Sequence, residues 1–229
     1  MIGSPGQAKG TVIRAVILGP PGSGKGTQAE LLCRRFGCHW ISTGDLLREA
    51  VRDMTRLGQQ VQSILDAGKL VSDDLVGEVV EEKLRSPATA GGYLLDGFPR
   101  TLRQVDILDG ILERTGGTLD VAVLLEVEEA EILRRLGGRR VCGDCGATFH
   151  VEFQPPRRAD SCDECGGKLK VRKDDQEDVI RERLRLYRKE TTPVVDCYRK
   201  RGILKTVRSG GSAAEVSERF LTELAGMVA

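Results

Sequence analysis

The chain has 229 residues, 40% of them hydrophobic and 30% charged, which suffices for one α/β domain with insertions or two small domains and excludes a disordered polypeptide. Aromatic residues make up only 4%, so the core is expected to consist of Val, Leu and Ile. Lys plus Arg total 35 and Asp plus Glu 34, giving a net charge of +1; bulk attraction to nucleic acid or to an anionic membrane is not expected. No run approaches the roughly 18 apolar residues of a membrane span, and the opening MIGSPGQAKGTVI lacks an apolar stretch of signal-peptide length. The expectation is a cytoplasmic protein in which residues 1–13 form an N-terminal tail.

The apolar run Ala15–Leu18 predicts a strand, and it leads directly into Gly19–Gln28, GPPGSGKGTQ. A short strand, a glycine turn and then a helical pattern place unpaired backbone N–H groups around a phosphate. Here Gly22, Ser23, Gly24, Lys25, Gly26 and Thr27 form the cradle, with Lys25 reaching the terminal phosphates. Gly26 takes the place of the Ser or Thr of the general phosphate loop, so the hydroxyl available to Mg²⁺ or phosphate is that of Thr27. Ser42–Val71 is helical and polar and interrupts the alternation of strands and helices. Gly92-Tyr93-Leu94-Leu95 then predicts a buried strand ending at Asp96, a carboxylate that can hold Mg²⁺ through water. In Asp96-Gly97-Phe98-Pro99-Arg100-Thr101 an arginine stands just ahead of a helix.

Val121–Leu125 reads as a further strand, Gln176–Lys200 as a long helix, Ile203–Val207 as a short strand and the segment from Ala213 as a final helix. Gly138–Asp175, rich in Cys, Gly, Pro and charge, fits neither pattern. The fold class is therefore α/β: a phosphate-loop parallel sheet flanked by helices, with insertions at residues 42–71 and 138–175 where loops leave the carboxyl ends of the strands.

Four of the seven cysteines cluster as Cys142-x-x-Cys145 and Cys162-x-x-Cys165, a spacing suited to tetrahedral thiolate coordination of Zn²⁺; Cys33, Cys38 and Cys197 stand apart. Four protein ligands leave no open position, so the metal is expected to be structural. Iron accepts the same ligands, and two disulfides are the non-metal alternative. His39 and His150 are expected to pack or to face solvent.

Gly19–Gln28, Ser42-Thr43-Gly44-Asp45-Leu46-Leu47-Arg48, Asp96–Thr101 and Arg172-Lys173-Asp174-Asp175 together resemble adenylate kinase over nearly the whole chain after residue 13. The resemblance implies Mg²⁺-dependent, reversible phosphoryl transfer from ATP to AMP within residues 14–229. It implies a core of 14–41, 72–137 and 176–229, an AMP-binding helical insertion of 42–71 and a zinc lid of 138–175. By position it assigns Thr43, Arg48, Lys69, Leu70, Val71, Gly97, Phe98, Pro99, Arg100 and Gln104 to AMP. The ATP side takes the phosphate loop with Arg135, Arg139, Thr148, Phe149 and Gly211. Arg172 and Arg183 bridge the moving phosphoryl group, and Lys25, Arg100, Arg139, Arg172 and Arg183 form the catalytic set. A monomer acting on ATP, AMP and ADP, with no nucleic-acid or membrane partner, is implied.

Electrostatics supports the same reading. A triphosphate and a monophosphate together concentrate about six negative charges, which clustered guanidinium groups must offset. An AMP oxygen is already largely deprotonated at neutral pH, so attack needs no general base. Two alternatives stay open at this stage: the same fold with another nucleotide pair, such as a GTP donor or a UMP or CMP acceptor, and a phosphate-loop ATPase whose zinc module docks a partner.

Overall fold

The computed structural model describes residues 12–225, so most of the expected N-terminal tail lies outside the described residues. The chain runs β1 (Ile13–Leu18), α1 (Lys25–Phe36), β2 (His39–Ser42), α2 (Thr43–Arg52), α3 (Arg56–Asp66), α4 (Asp73–Leu84), β3 (Gly92–Asp96) and α5 (Leu102–Thr115). It continues through β4 (Val121–Glu126), α6 (Glu129–Gly137), β5 (Arg139–Cys142), β6 (Thr148–His150) and β7 (Leu169–Lys170). It closes with α7 (Glu177–Leu186), α8 (Thr192–Lys200), β8 (Leu204–Arg208) and α9 (Ala213–Leu224). Among the described residues no helix is long and apolar enough to cross a membrane.

Five parallel strands form the central sheet in the order β2-β3-β1-β4-β8. Its three middle strands are apolar at nearly every position because both faces are covered, and alternate side chains feed two cores. Val16, Leu18, Leu95, Ala122 and Leu124 join Val105, Leu108 and Tyr198 on one face. Ala15, Ile17, Leu94, Val123 and Leu125 join Leu32 and Phe220 on the other. Register then decides where the chemistry sits. Asp96 of β3 lies level with Ile17 of β1 on one side and with Ser42 of β2 on the other. The loops after β1, β2 and β3 therefore open at one edge, beside the point where strand order reverses.

Three features differ from expectation. The strand β2 is absent from the sequence reading because it is a four-residue edge strand, with His39 exposed and only Ile41 buried. The segment 138–175 is not purely irregular: β6-β5-β7 form a small antiparallel sheet over a core of Cys142, Phe149, Cys162 and Leu169. Its strands are too short to leave a period in a stretch dominated by Cys, Gly and charge.

The third is the predicted 176–200 helix, which widens into a π turn at Tyr187–Thr191 before α8. Pro193, in the first turn of α8, has no N–H to donate back along the helix, which favours such a widening. The widened turn buries Thr191, whose hydroxyl donates to the Arg100 carbonyl at 2.9 Å.

Gly137 and Gly138 sit at the close of α6. Gly138 has an ordinary right-handed backbone, and a Cβ there would lie 2.3 Å from His150 Nε2. The glycine makes room for the imidazole, which caps its own turn by accepting the N–H groups of Glu152 and Phe153 at Nδ1.

Candidate active site

The phosphate loop is held open by left-handed backbone at Gly22 (φ +77°) and Gly24 (φ +88°). No side chain caps the start of α1, so its first N–H groups remain available to an anion. Lys25 Nζ donates to the carbonyls of Gly19 (2.8 Å) and Pro20 (2.9 Å). Burial pushes its pKa down to about 8, against the pull of the neighbouring Asp96 carboxylate. Burial likewise raises the pKa of Asp96, whose carboxylate accepts no hydrogen bond among the described residues. Thr27 is exposed on the first turn of α1.

Two adjoining clefts, each about 550 Å³, open at this edge and share Gly68, Leu70, Gly97, Arg100 and Arg183. One continues along the phosphate loop past Pro21, Lys25, Pro99, Tyr187 and Thr191. The other is lined by Thr43, Arg48, Lys69, Val71 and Gln104. Phe98 is fully buried in the core, so its side chain reaches neither cleft.

Gly97 is where the second cleft narrows. Its φ is +84°, and a Cβ there would lie 2.8 Å from both Arg100 Nη2 and Thr43 Oγ1. Arg100 is anchored three ways: Nε donates to the Gly97 carbonyl (2.8 Å), its N–H donates to Gln104 Oε1 (2.7 Å), and its carbonyl accepts from Thr191. Gln104 in turn donates to Asp73 (2.8 Å), leaving one amide N–H for a ligand.

The remaining arginines are positioned by an acidic pair. Asp175, fully buried, accepts a two-point contact from Arg139 and a 3.1 Å bond from Arg183. Asp174 holds Arg172 by two bonds of 2.9 and 2.7 Å, and its carbonyl accepts from Arg183 at 2.8 Å. Burial opposes the charge of Asp174, yet Arg183 and Arg172 overcome it and hold the carboxyl at about 2. Burial lowers Arg183 to about 10 and also depresses Arg100 and Arg48, the cost of crowding guanidinium groups out of water. Lys25, Arg48, Arg100, Arg139, Arg172 and Arg183 outnumber Asp45, Asp96, Asp174 and Asp175, so the site favours an added anion.

Arg135 lines neither cleft, but its guanidinium lies against the phosphate loop at Gly24. Its guanidinium donates to Glu131 (2.8 Å), to Ser209 Oγ (3.0 Å) and to the Ser209 carbonyl (2.6 Å). Ser209 is buried, and its hydroxyl donates to the Ser23 carbonyl at 2.5 Å. Arg219 secures the far side of the same turn through the carbonyls of Arg208 (2.9 Å) and Gly210 (2.6 Å). Gly211 follows with φ +95°. Ser209 and Arg219 were not legible as site residues, since their partners lie far away in sequence or on main-chain atoms. Replacing Ser209 with Ala removes the hydroxyl that ties this turn to the phosphate loop. A loss of about 1 kcal/mol, roughly fivefold in KM, is expected for the ligand of the loop cleft, with KM for the other ligand unchanged; steady-state kinetics on both substrates checks it.

In the 138–175 segment the four cysteine sulfurs lie within 4.8 Å of one another. The nearest pairs, Cys142 with Cys165 and Cys145 with Cys162, are 3.5 and 3.6 Å apart, and all four are free thiols rather than disulfides. A metal bonded to four sulfurs at about 2.3 Å requires tetrahedral edges of about 3.8 Å, close to these separations. The Asp144 N–H points at Cys142 Sγ (3.4 Å), which suits a thiolate. Phe149 is buried in the core beside this group, whereas Thr148 is exposed.

The parallel sheet thus carries a glycine phosphate loop at its switch point, beside a second cleft with which the loop cleft shares Arg100 and Arg183. The family model described as Adenylate kinase matches residues 17–203. Curated proteins named adenylate kinase are similar to it: that of Geotalea daltonii is 44% identical over 92% of this chain and 99% of its own. That of Methanothrix thermoacetophila is 44% identical over 90% and 95%, and that of Archaeoglobus fulgidus 45% identical over 84% and 88%. The chain belongs to the adenylate kinase family and is a phosphotransferase.

Proposed function

We propose that the protein transfers the γ-phosphoryl group of ATP reversibly to AMP, in the presence of Mg²⁺, giving two ADP. The observation that carries this reading is the pair of clefts meeting at Arg100 and Arg183, with Lys25 in one and Arg48 in the other. ATP occupies the loop cleft, with its triphosphate on the N–H groups of Gly22–Thr27 and on Lys25, Arg139 and Arg135. Its base lies toward Gly211 and the edge formed by Thr148 and Phe149, where Phe149 contributes main chain only. AMP occupies the second cleft: Arg48 and Arg100 grip its phosphate, while Thr43, Gln104 and the main chain of Lys69–Val71 and Gly97–Pro99 receive the nucleoside.

Once both are bound, the acceptor oxygen faces the γ-phosphorus between Arg100, Arg172 and Arg183, whose charges offset those that build on the transferring oxygens. Asp174 and Asp175 keep these guanidinium groups aimed, so little reorganisation is needed as charge moves. Asp96, through water, and Thr27 would hold Mg²⁺, which would supply positive charge to offset that of the phosphates. The orphaned Asp96 carboxylate suits that role. Cys142, Cys145, Cys162 and Cys165 would hold a structural Zn²⁺ that fixes residues 138–175 as a lid, and closure of that lid keeps water from competing with AMP. Residues 42–71 act as the acceptor insertion and the rest of 14–229 as the core. Both clefts lie within one chain, which supports a monomer, and the net charge of +1 supports nucleotides rather than nucleic acid or membrane as partners.

A panel of AMP, GMP, CMP and UMP as acceptors, each with ATP and GTP as donors, tests the specificity. Turnover is expected with ATP and AMP; preference for another pair would overturn the assignment while leaving the class intact. The Lys25 pKa gives a second test. In the free protein the ammonium deprotonates as pH rises through about 8 and loses its attraction for phosphate, whereas bound triphosphate holds the proton. Hence kcat/KM for ATP is expected to fall above pH 8 while kcat holds to higher pH. Paired pH profiles check this, and a kcat/KM that stays flat well beyond that point would contradict it.

A further inference from the structure

Three cysteines lie outside both the clefts and the four-cysteine group, and two of them, Cys33 and Cys38, are neighbours. Cys33 is in the last turns of α1 and Cys38 immediately precedes β2, joined through Gly37, whose left-handed backbone (φ +69°) turns the chain back. Their sulfurs are 2.9 Å apart. Cys38 is buried and Cys33 only half-buried, and the space around the intervening Gly37 is open. A disulfide bond is about 2.05 Å long, so the sulfurs need approach by only about 0.9 Å. The Cys197 thiol, also half-buried, makes no such pair.

We propose that Cys33 and Cys38 are a redox-active dithiol, a modification site whose co-substrate is a low-molecular-weight disulfide. One cysteine thiolate attacks the S–S bond of that disulfide, forming a mixed disulfide and releasing one small thiol. The other cysteine, as thiolate, attacks the protein sulfur of the mixed disulfide and releases the second small thiol. Two protein S–H bonds become one S–S bond, and two electrons and two protons end on the two small thiols. The shared contact favours the first step: the hydrogen bond between the two sulfurs lowers the Cys38 pKa and raises that of Cys33. The new bond ties the far end of α1 to the start of β2. The site ends of these elements, Lys25 and Ser42, stay where they are, so oxidation stiffens the fold and spares turnover.

The test uses the metal-loaded full chain, equilibrated with oxidised and reduced glutathione at a series of ratios, alkylated and weighed. Trypsin cleavage after Arg34 and Arg35 separates the two cysteines, so the disulfide appears as a cross-linked peptide pair. The expected result is loss of the mass of two hydrogen atoms, joint protection of Cys33 and Cys38 from alkylation, and full reversal by reduced glutathione. The melting temperature rises in the oxidised form and kcat does not change. Cys38→Ser is expected to stop at a glutathione adduct on Cys33. Continued alkylation of both cysteines at the most oxidising ratio, or a wild-type chain that stops at the adduct, would overturn the proposal.

Discussion

Arg100→Ala is expected to lower kcat with AMP by about 10³-fold or more while leaving the melting temperature near that of the wild type. The activity loss follows from position, since Arg100 lines both clefts and the proposed transfer carries the phosphoryl group past its charge. Stability is spared for a separate reason. The main chain at residue 100 is fixed by Gln104 and Thr191 through backbone atoms that alanine keeps. The guanidinium itself is partly buried, at a desolvation cost, and sits near the like charge of Arg172. Arg100→Lys is expected to recover little, because a lysine cannot both brace against the Gly97 carbonyl and present two parallel N–H groups to phosphate. Turnover near wild type in Arg100→Ala would remove this residue from the reaction.

Removal of the metal proposed for residues 138–175 is expected to unfold that segment locally while the central sheet persists. The lid has little else to hold it: its apolar core is Cys142, Phe149, Cys162 and Leu169 with Ala147 beside them. Burial of that size cannot offset the conformational entropy of the segment, whereas thiolate coordination of Zn²⁺ supplies about 10–16 kcal/mol in small zinc modules. Arg139 lies in β5 and Arg172 closely follows β7, so both lose their placement against Asp175 and Asp174 when the sheet melts. A kcat loss of at least about 100-fold should accompany the change. Hydrogen exchange across 139–170 after verified metal removal checks the prediction, with an early calorimetric transition as the companion signal. An unchanged melting curve in metal-free protein would contradict it.

The parts of the site built from contiguous residues were legible before any coordinates. Lys25 and its glycines, Asp96 at a strand end, Gly97 to Arg100 and the paired cysteines each carry their chemistry in local order, because strand, turn and helix follow one another within a few residues. The family resemblance supplied the arginines. What escaped was everything held by distant partners. Ser209 meets Ser23 and Arg135 only after the sheet has brought β8 beside β4, and no local pattern marks a serine for that task. Asp174 and Asp175 stood within a quoted motif, yet their work of aiming Arg139, Arg172 and Arg183 appears only when the lid and α7 converge. β2 was missed because an edge strand with one buried residue leaves almost no period, and the 138–175 sheet because its strands are short and its small core is built largely on cysteines.

The most direct test of the central claim is to follow ATP with Mg²⁺, with and without AMP, by phosphorus NMR. The account predicts that ADP forms only when AMP is present, two molecules for each pair consumed, with no inorganic phosphate released. Phosphate release at the same rate with or without AMP would contradict it and mark the protein as a nucleotide hydrolase.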